Sequence, residues 1–479
     1  MGSLEVSPEE FLRLADHVAK LSADYLRSLD SRRTFPSTGG AQSEQLFHAP
    51  LNEEGMGRGA LDALADVIDY SRVQNGRFFG YVLGSGEPVA AVGDLLASVL
   101  NQNVTAWRSG PAAVTIERTV VDWLAQAIGC RGFRGSLTGG GSPANLMGLA
   151  MARDGKMPAN ETGLRRLNQS VVYASEQVHM SIPKSVALLG IGRANLRLIA
   201  TDEKFLMIPL ELEQAIQRDE AAGNVPLAVV GTAGTVNTGA IDPLAEIAAI
   251  ALRHQLWFHV DGAYGALAAI AAPAKFAGME LADSLSLDPH KWLYQPLDCG
   301  CLLYRNSHAA QTAFSHTGDY ARALSDDPIE GFAFFEESLE LSRRFRALKL
   351  WLSLRYHGLT AFRSAIQKDL DFAKRLAVQI ENQPELELVA AGELSAVCFR
   401  HVGFQQRSED ELNRFNAEVL KRIVQRGRVY LSNATLQGKV CLRACIVNHR
   451  TTEADVDAVI TETLGAAKDC AGDTPARHH

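Results

Sequence analysis

Four short segments hold residues able to do chemistry, each directly after a run that reads as a β-strand. Glu176-Gln177-Val178-His179 offers an imidazole, Asp261-Gly262-Ala263-Tyr264 a carboxylate, and Asp288-Pro289-His290-Lys291 an imidazole beside an amine. Gly231-Thr232-Ala233-Gly234-Thr235 adds hydroxyls among small residues. A lysine amine condenses with a carbonyl to a Schiff base, while imidazole and carboxylate groups hold and move protons. Upstream, Gly139-Gly140-Gly141-Ser142-Pro143 precedes a helical pattern from Asn145 to Arg153, with Ser142 suited to the N-cap and Pro143 to the first turn. Glycines at a helix N-terminus leave backbone N–H groups open to an anion, most naturally a phosphate. No Gly-Lys-Ser/Thr follows, so this is not a Walker loop. The loose dinucleotide fingerprint is weak, because Arg131 to Gly135 does not read as a buried strand.

The elements that must position these groups follow from periodicity. Val171–Ala174, Leu196–Ala200, Leu227–Val230, Trp257–Val260, Ser284–Leu287 and Cys301–Tyr304 read as strands, several continuously apolar, with helical patterns such as Pro243–His254 between them. That alternation predicts an α/β fold with a mainly parallel sheet covered on both faces. Ligands of such sheets bind beyond the carboxyl ends of the strands, so His179, Asp261, His290 and Lys291 converge on one rim. A phosphate cup, a Schiff-base lysine and a carboxylate for a pyridine nitrogen together match pyridoxal phosphate. Lys291 and Asp261 are the candidates for the last two roles.

From Pro8 to Leu29, Phe11, Leu14, Val18, Leu21 and Tyr25 recur at helical spacing, an amphipathic helix in need of a surface. Residues 1–75 read as a helical arm, 76–375 as a large domain and 376–479 as a small α+β domain. A long helical stretch, Leu339 to Gln379, leads into the small domain, whose strands are Leu388–His401 and the hairpin Val429–Ile446 turning at Gln437-Gly438. Helices Ser408–Arg426 and Thr452–Ala467 complete it. The 479 residues are 47% apolar and 21% charged, with a net charge of −8, a globular profile without a basic tract for nucleic acid. No leader or membrane-spanning run is expected. Seven cysteines, an odd number, fit reduced thiols in the cytoplasm, and Cys299-x-Cys301 and Cys441-x-x-x-Cys445 lack the second pair that zinc needs, so no metal is expected. His478 and His479 read as a tag remnant.

The sequence resembles the group II pyridoxal-phosphate-dependent amino acid decarboxylases, which include aromatic-L-amino-acid decarboxylase and glutamate decarboxylase. The resemblance runs from the arm to the C-terminal domain. It rests on Asp288-Pro289-His290-Lys291-Trp292-Leu293 with Asp298-Cys299, on His259-Val260-Asp261-Gly262-Ala263-Tyr264, on Gly234-Thr235 through Asp242-Pro243, and on Ser342 to Lys349. It implies a pyridoxal-phosphate carboxy-lyase of the aspartate aminotransferase type, fold type I, with a seven-stranded, mainly parallel sheet, acting as a homodimer whose partner covers the arm. Lys291 would carry the cofactor, Asp261 pair with its ring nitrogen, and His179 and Ala263 pack on its two faces. Gly141 and Ser142 would hold the phosphate, His290 lie beside the Schiff base, and Thr235 or the adjacent Val236 approach the ring oxygen. Tyr81, Val82, Phe334 and Phe335 fall in the substrate region, and Asn103 to Trp107 reach towards the partner's pocket. An aromatic L-amino acid, decarboxylated to its amine, is the implied substrate.

Two departures from the family matter. Related decarboxylases place a tyrosine proton donor shortly before Arg343-Arg344-Phe345-Arg346, where this chain has Phe334-Phe335. Tyr320, His179 or His290 would then have to protonate the carbanion; otherwise it meets oxygen and yields an aldehyde, as in the related aldehyde synthases. Asp288 stands where many relatives have Asn, and a carboxylate has no N–H to donate to phosphate, so it is expected to fix the turn.

Overall fold

The computed structural model describes residues 4–472 apart from 49, 52, 158, 164–168, 317–326 and 405. Tyr320, His478 and His479 lie outside the described residues. Seven strands form the large sheet: β1 (Arg134–Thr138), β2 (Ser170–Ser175), β3 (Leu196–Ile199), β4 (Val225–Thr232), β5 (Trp257–Asp261), β6 (Ser284–Leu287) and β7 (Gly300–Tyr304). Their order is β1-β7-β6-β5-β4-β2-β3. The five strands from β3 to β6 run parallel, and β7 is antiparallel to both of its neighbours. Every residue of β2, β6 and β7 is buried, the mark of a sheet covered on both faces.

Strand β1 corrects the reading of residues 131–135. Gly135-Ser136 has little strand propensity of its own, yet a Cβ on Gly135 would sit 2.1 Å from the Leu302 carbonyl oxygen, so glycine permits close pairing with β7. The glycine run therefore does follow a buried strand.

The small sheet is β8 (Leu386–Ala391), β9 (Ala396–His401), β10 (Ser432–Leu436) and β11 (Lys439–Cys445), ordered β10-β11-β9-β8 and wholly antiparallel. Gln437 and Gly438 both take positive φ, 49° and 81°, as a two-residue hairpin turn requires. Ser408 and Glu411 close a capping box on the helix Glu409–Arg426. Segment 78–81 joins the small domain: Phe79 packs in its core, its N–H donates to the Tyr430 carbonyl (2.9 Å), and its own carbonyl accepts from Cys445 N (2.9 Å).

The long C-terminal helix of the large domain begins at Ala347, not Leu339, and runs to Glu381 with a kink at Gly358. Its side chains feed both cores, Ile366 and Leu370 the large one and Leu376 and Ile380 the small one. The segment before it is diverted by Arg343, which forms a buried ion pair with Glu117 and donates to the carbonyls of Val104 (2.8 Å) and Leu137 (2.9 Å). Tertiary hydrogen bonds outweigh helical periodicity there. Glu117→Ala leaves that guanidinium buried and unpaired, and it is expected to cost about 3–5 kcal/mol of stability, read as a lowered urea midpoint.

The arm helix Pro8–Ser28 buries none of its residues, and helix Pro88–Leu100 leaves Val92, Leu95, Leu96 and Val99 exposed. No helix among the described residues is long and apolar enough to cross a membrane.

Candidate active site

A cavity of about 580 Å³ opens at the carboxyl ends of β4, β5 and β6 and is closed from the other side by residues of β10 and β11. Its wall includes Gly139 to Ser142, His179, Asp261, Ala263, Asp288, His290 and Lys291, with Tyr81 and Val82 at the small-domain side.

Asp261 ends β5. Three donors converge on its carboxylate: Asn145 Nδ2 at 3.0 Å on one oxygen, Ser286 Oγ at 3.1 Å and the Ala263 N–H at 3.2 Å on the other. Lys291 sits in the short helix Pro289–Trp292 that follows β6, with Nζ 2.9 Å from Asp288 Oδ2. Asp288 makes no side-chain cap to that helix, so its expected turn-fixing role is corrected. Its carboxylate pairs with the lysine, and Oδ1 has no partner among the described residues. His290 is buried and donates from Nδ1 to the Cys299 carbonyl at 2.7 Å, which leaves Nε2 3.6 Å from Asp288. Burial lowers its pKa, as it does that of His179. His179 Nδ1 accepts from the Ser181 N–H at 3.2 Å, so the ring proton is on Nε2.

Helix Gly141–Lys156 begins one residue before the expected cap. Gly140, at φ 146°, is the N-cap, and Ser142 lies inside the first turn. Its hydroxyl is therefore not spent on capping, and its N–H and that of Gly141 point out of the helix end. A Cβ on Gly141 would meet Ala263 Cβ at 2.5 Å and Asp288 Oδ2 at 3.1 Å, so glycine lets the three segments close together here.

Three expected residues are not brought to the cavity. Thr235 is buried with its hydroxyl 2.8 Å from Thr238 Oγ1 and accepting from Ala240 N, because it closes the 235–240 turn; Thr232, Gly234 and Val236 line the wall instead. Phe334 is fully buried, edge-on to Phe332 at 4.9 Å, with the Arg343 guanidinium 4.2 Å over its ring. The Glu117–Arg343 pair that diverts this segment holds Phe334 in the core, and Phe335 is not on the cavity wall either.

Sequence reasoning overlooked Arg443. It is 3% exposed, lines the cavity from β11, and donates from Nε to the Asn237 carbonyl (3.0 Å) and from Nη1 to the Tyr81 carbonyl (3.1 Å) and Ser432 Oγ (3.2 Å). Nη2 has no partner among the described residues. An arginine inside the apolar run Val440 to Ile446 was the available signal.

Residues 64–402 match the family model for the pyridoxal-dependent decarboxylase conserved domain. The chain belongs to the pyridoxal-dependent decarboxylase family. It is 33% identical to the aromatic-L-amino-acid decarboxylase of Bacillus atrophaeus over 98% of this chain and 97% of that one. It is 31% identical to the phenylacetaldehyde synthase of Petunia hybrida over 92% and 91%. The crystal structure of Oryza sativa TDC with PLP and tryptamine superposes with a TM-score of 0.91 at 27% identity, covering 98% of this chain and 99% of that one. The protein is a pyridoxal-phosphate-dependent amino acid decarboxylase of fold type I. The cavity fits that cofactor. It holds an amine, a buried carboxylate and an open helix N-terminus, and the Thr232 hydroxyl, which pairs in register with Asp261, is buried without a partner among the described residues.

Proposed function

We propose that this chain decarboxylates an aromatic L-amino acid to its amine and carbon dioxide. The observation that carries the proposal is the meeting of Lys291, Asp261 and the Gly141–Ser142 helix end in one cavity. Bound pyridoxal phosphate supplies an electron-accepting ring that takes up the electron pair left at the α-carbon as carbon dioxide departs. Lys291 Nζ would hold the cofactor through its aldehyde carbon and would serve as a proton acceptor beside it. Asp261, held by three donors, keeps a proton on the ring nitrogen. The N–H groups of Gly141 and Ser142, with the Ser142 hydroxyl, hold the phosphate. His179 would cover one ring face as a neutral imidazole and exclude water, Ala263 would pack on the other, and His290 would lie beside the lysine.

Arg443 orients the substrate carboxylate through Nη2, within a wall that Tyr81, Val82, Val236 and Leu297 make largely apolar. Hydrogen bonds to a charged group are worth about 1.5–3 kcal/mol, so Arg443→Gln is expected to raise KM roughly tenfold to a hundredfold with a smaller change in kcat.

The aromatic substrate is supported by the names of the bacterial and plant relatives. The amine is favoured over an aldehyde by the decarboxylases among the relatives, whereas the oxidative alternative rests on Phe334-Phe335 standing in place of a tyrosine proton donor, and the packing of Phe334 under Arg343 supplies no such donor. Incubating the purified holoenzyme with individual aromatic L-amino acids, and measuring carbon dioxide, amine, aldehyde and peroxide together, tests both points. Stoichiometric amine without peroxide is expected. Aldehyde with peroxide assigns the oxidative reaction, and a keto acid formed only with a co-substrate assigns an aminotransferase.

A homodimer in the cytoplasm completes the proposal. It is supported by the apolar faces that helices Pro8–Ser28 and Pro88–Leu100 leave uncovered and by seven buried cysteines in an acidic chain. Light scattering of the purified protein checks the oligomeric state.

A further inference from the structure

Behind the cavity wall runs a continuous line of buried polar side chains that the proposed chemistry does not use. Trp257 Nε1 donates to Ser284 Oγ at 2.8 Å, Ser284 Oγ lies 2.8 Å from His259 Nδ1, and His259 Nε2 lies 2.9 Å from Asn145 Oδ1. The two hydrogens of Asn145 Nδ2 then diverge, one to Asp261 Oδ2 at 3.0 Å and one to Ser181 Oγ at 2.9 Å. Ser181 Oγ is in turn 2.9 Å from His179 Nδ1.

The direction of this line is fixed at its carboxylate end. An indole N–H is only a donor and a carboxylate only an acceptor. Asn145 must therefore turn its amide nitrogen to Asp261 and its oxygen to His259, His259 must carry its proton on Nε2, and its Nδ1 then accepts from the Ser284 hydroxyl. Ser181 then accepts from Asn145 and gives its hydroxyl proton to His179, the same tautomer its backbone N–H demands. Every link is satisfied, and Ser284, His259, Asn145 and Ser181 are each at most 2% exposed.

A second observation points to the imidazole. Gly148 stands inside helix Gly141–Lys156, where glycine is unfavourable, and a Cβ there would lie 2.6 Å from His259 Cε1 and 2.7 Å from Nδ1. The helix gives up a side chain where the His259 ring lies against it. Apolar residues would fill this space without that cost.

We infer that His259 and Asn145 are positioning residues for the cofactor, one amide fixing at once the carboxylate that meets the ring nitrogen and the imidazole that covers the ring. His259 acts by locking that amide. Without its N–H the buried Oδ1 of Asn145 is left with no donor, and the amide is held from one side only, by Asp261 and Ser181. The inference rests on the reading of Asp261 as the partner of the ring nitrogen.

The test titrates each apoprotein with pyridoxal 5′-phosphate, records the visible circular dichroism of the bound cofactor, and measures kcat and KM. His259→Leu is expected to weaken cofactor binding about tenfold, change the dichroism and lower kcat, with KM held within about twofold. His259→Gln retains an N–H donor and recovers most of the loss. Gly148→Ala alters no hydrogen-bonding group and is expected to reproduce part of it by displacing the ring. Wild-type binding, dichroism and kcat in His259→Leu overturn the inference, as does His259→Gln that is as impaired as the leucine variant. If the leucine variant does not fold, wild-type cofactor affinity in Gly148→Ala overturns it. Asp261→Asn separates the two readings: an unimpaired variant overturns the role of Asp261 and the relay with it, whereas an impaired one beside an intact His259→Leu overturns the relay alone.

Discussion

Replacing Lys291 with alanine is expected to abolish carbon dioxide release, by at least about a thousandfold, and to remove the visible band of bound cofactor. Lys291 is the only lysine among the described residues of the cavity wall, so no second amine stands ready to hold the aldehyde. The variant also leaves the buried Asp288 carboxylate without its partner at 2.9 Å, so a loss of stability is expected to accompany the loss of turnover. Lys291→Arg separates the two effects. It restores a cation beside Asp288 but has no amine able to condense, so it should recover stability and not turnover. Turnover retained in either variant would show that the covalent anchor lies elsewhere.

Asp261→Asn is expected to lower kcat by about 10²–10³, because a preorganised charge facing the developing transition state is lost while the shape is kept. The amide cannot repeat the hydrogen bonding of the carboxylate. Asn145 Nδ2 meets one oxygen, and Ser286 Oγ with the Ala263 N–H meets the other, so whichever side receives the new NH₂ sets donor against donor. Weaker cofactor binding should accompany the slower turnover. Steady-state kinetics at saturating cofactor separate the two: kcat restored by added cofactor alone would reduce Asp261 to a binding residue.

Much of this site was legible in one dimension. The apolar runs before His179, Asp261 and Lys291 do form parallel strands of one sheet, whose carboxyl ends lead to the cavity. The hairpin at Gln437-Gly438 and the Ser408 cap were legible for the same reason: a turn or a cap is decided by a few adjacent residues. The misreadings share an opposite cause. Thr235 looked available because its partners, Thr238 and Ala240, become partners only once the turn has closed. The stretch from Leu339 has helical spacing, yet Arg343 finds Glu117 and the Leu137 carbonyl, which a helix there would have denied it.

Arg443 and His259 are the instructive omissions. Each is a polar residue in an apolar strand, a visible anomaly, but nothing local says which buried group satisfies it. His259 shares a strand face with Asp261, two residues on, yet its partner Asn145 comes from a helix more than a hundred residues away in sequence.

The sequence by itself determined the family, the cofactor chemistry and the strand ends that carry it, because hydrophobic period, turn residues and reactive side chains are properties of short segments. Only the tertiary structure decided which neighbour at each strand end faces the cavity, that Phe334 is withdrawn into the core, and that Arg443 closes the site from the second domain. Those outcomes depend on buried polar groups finding partners across the fold, and a buried group left unpaired costs more than any local preference returns.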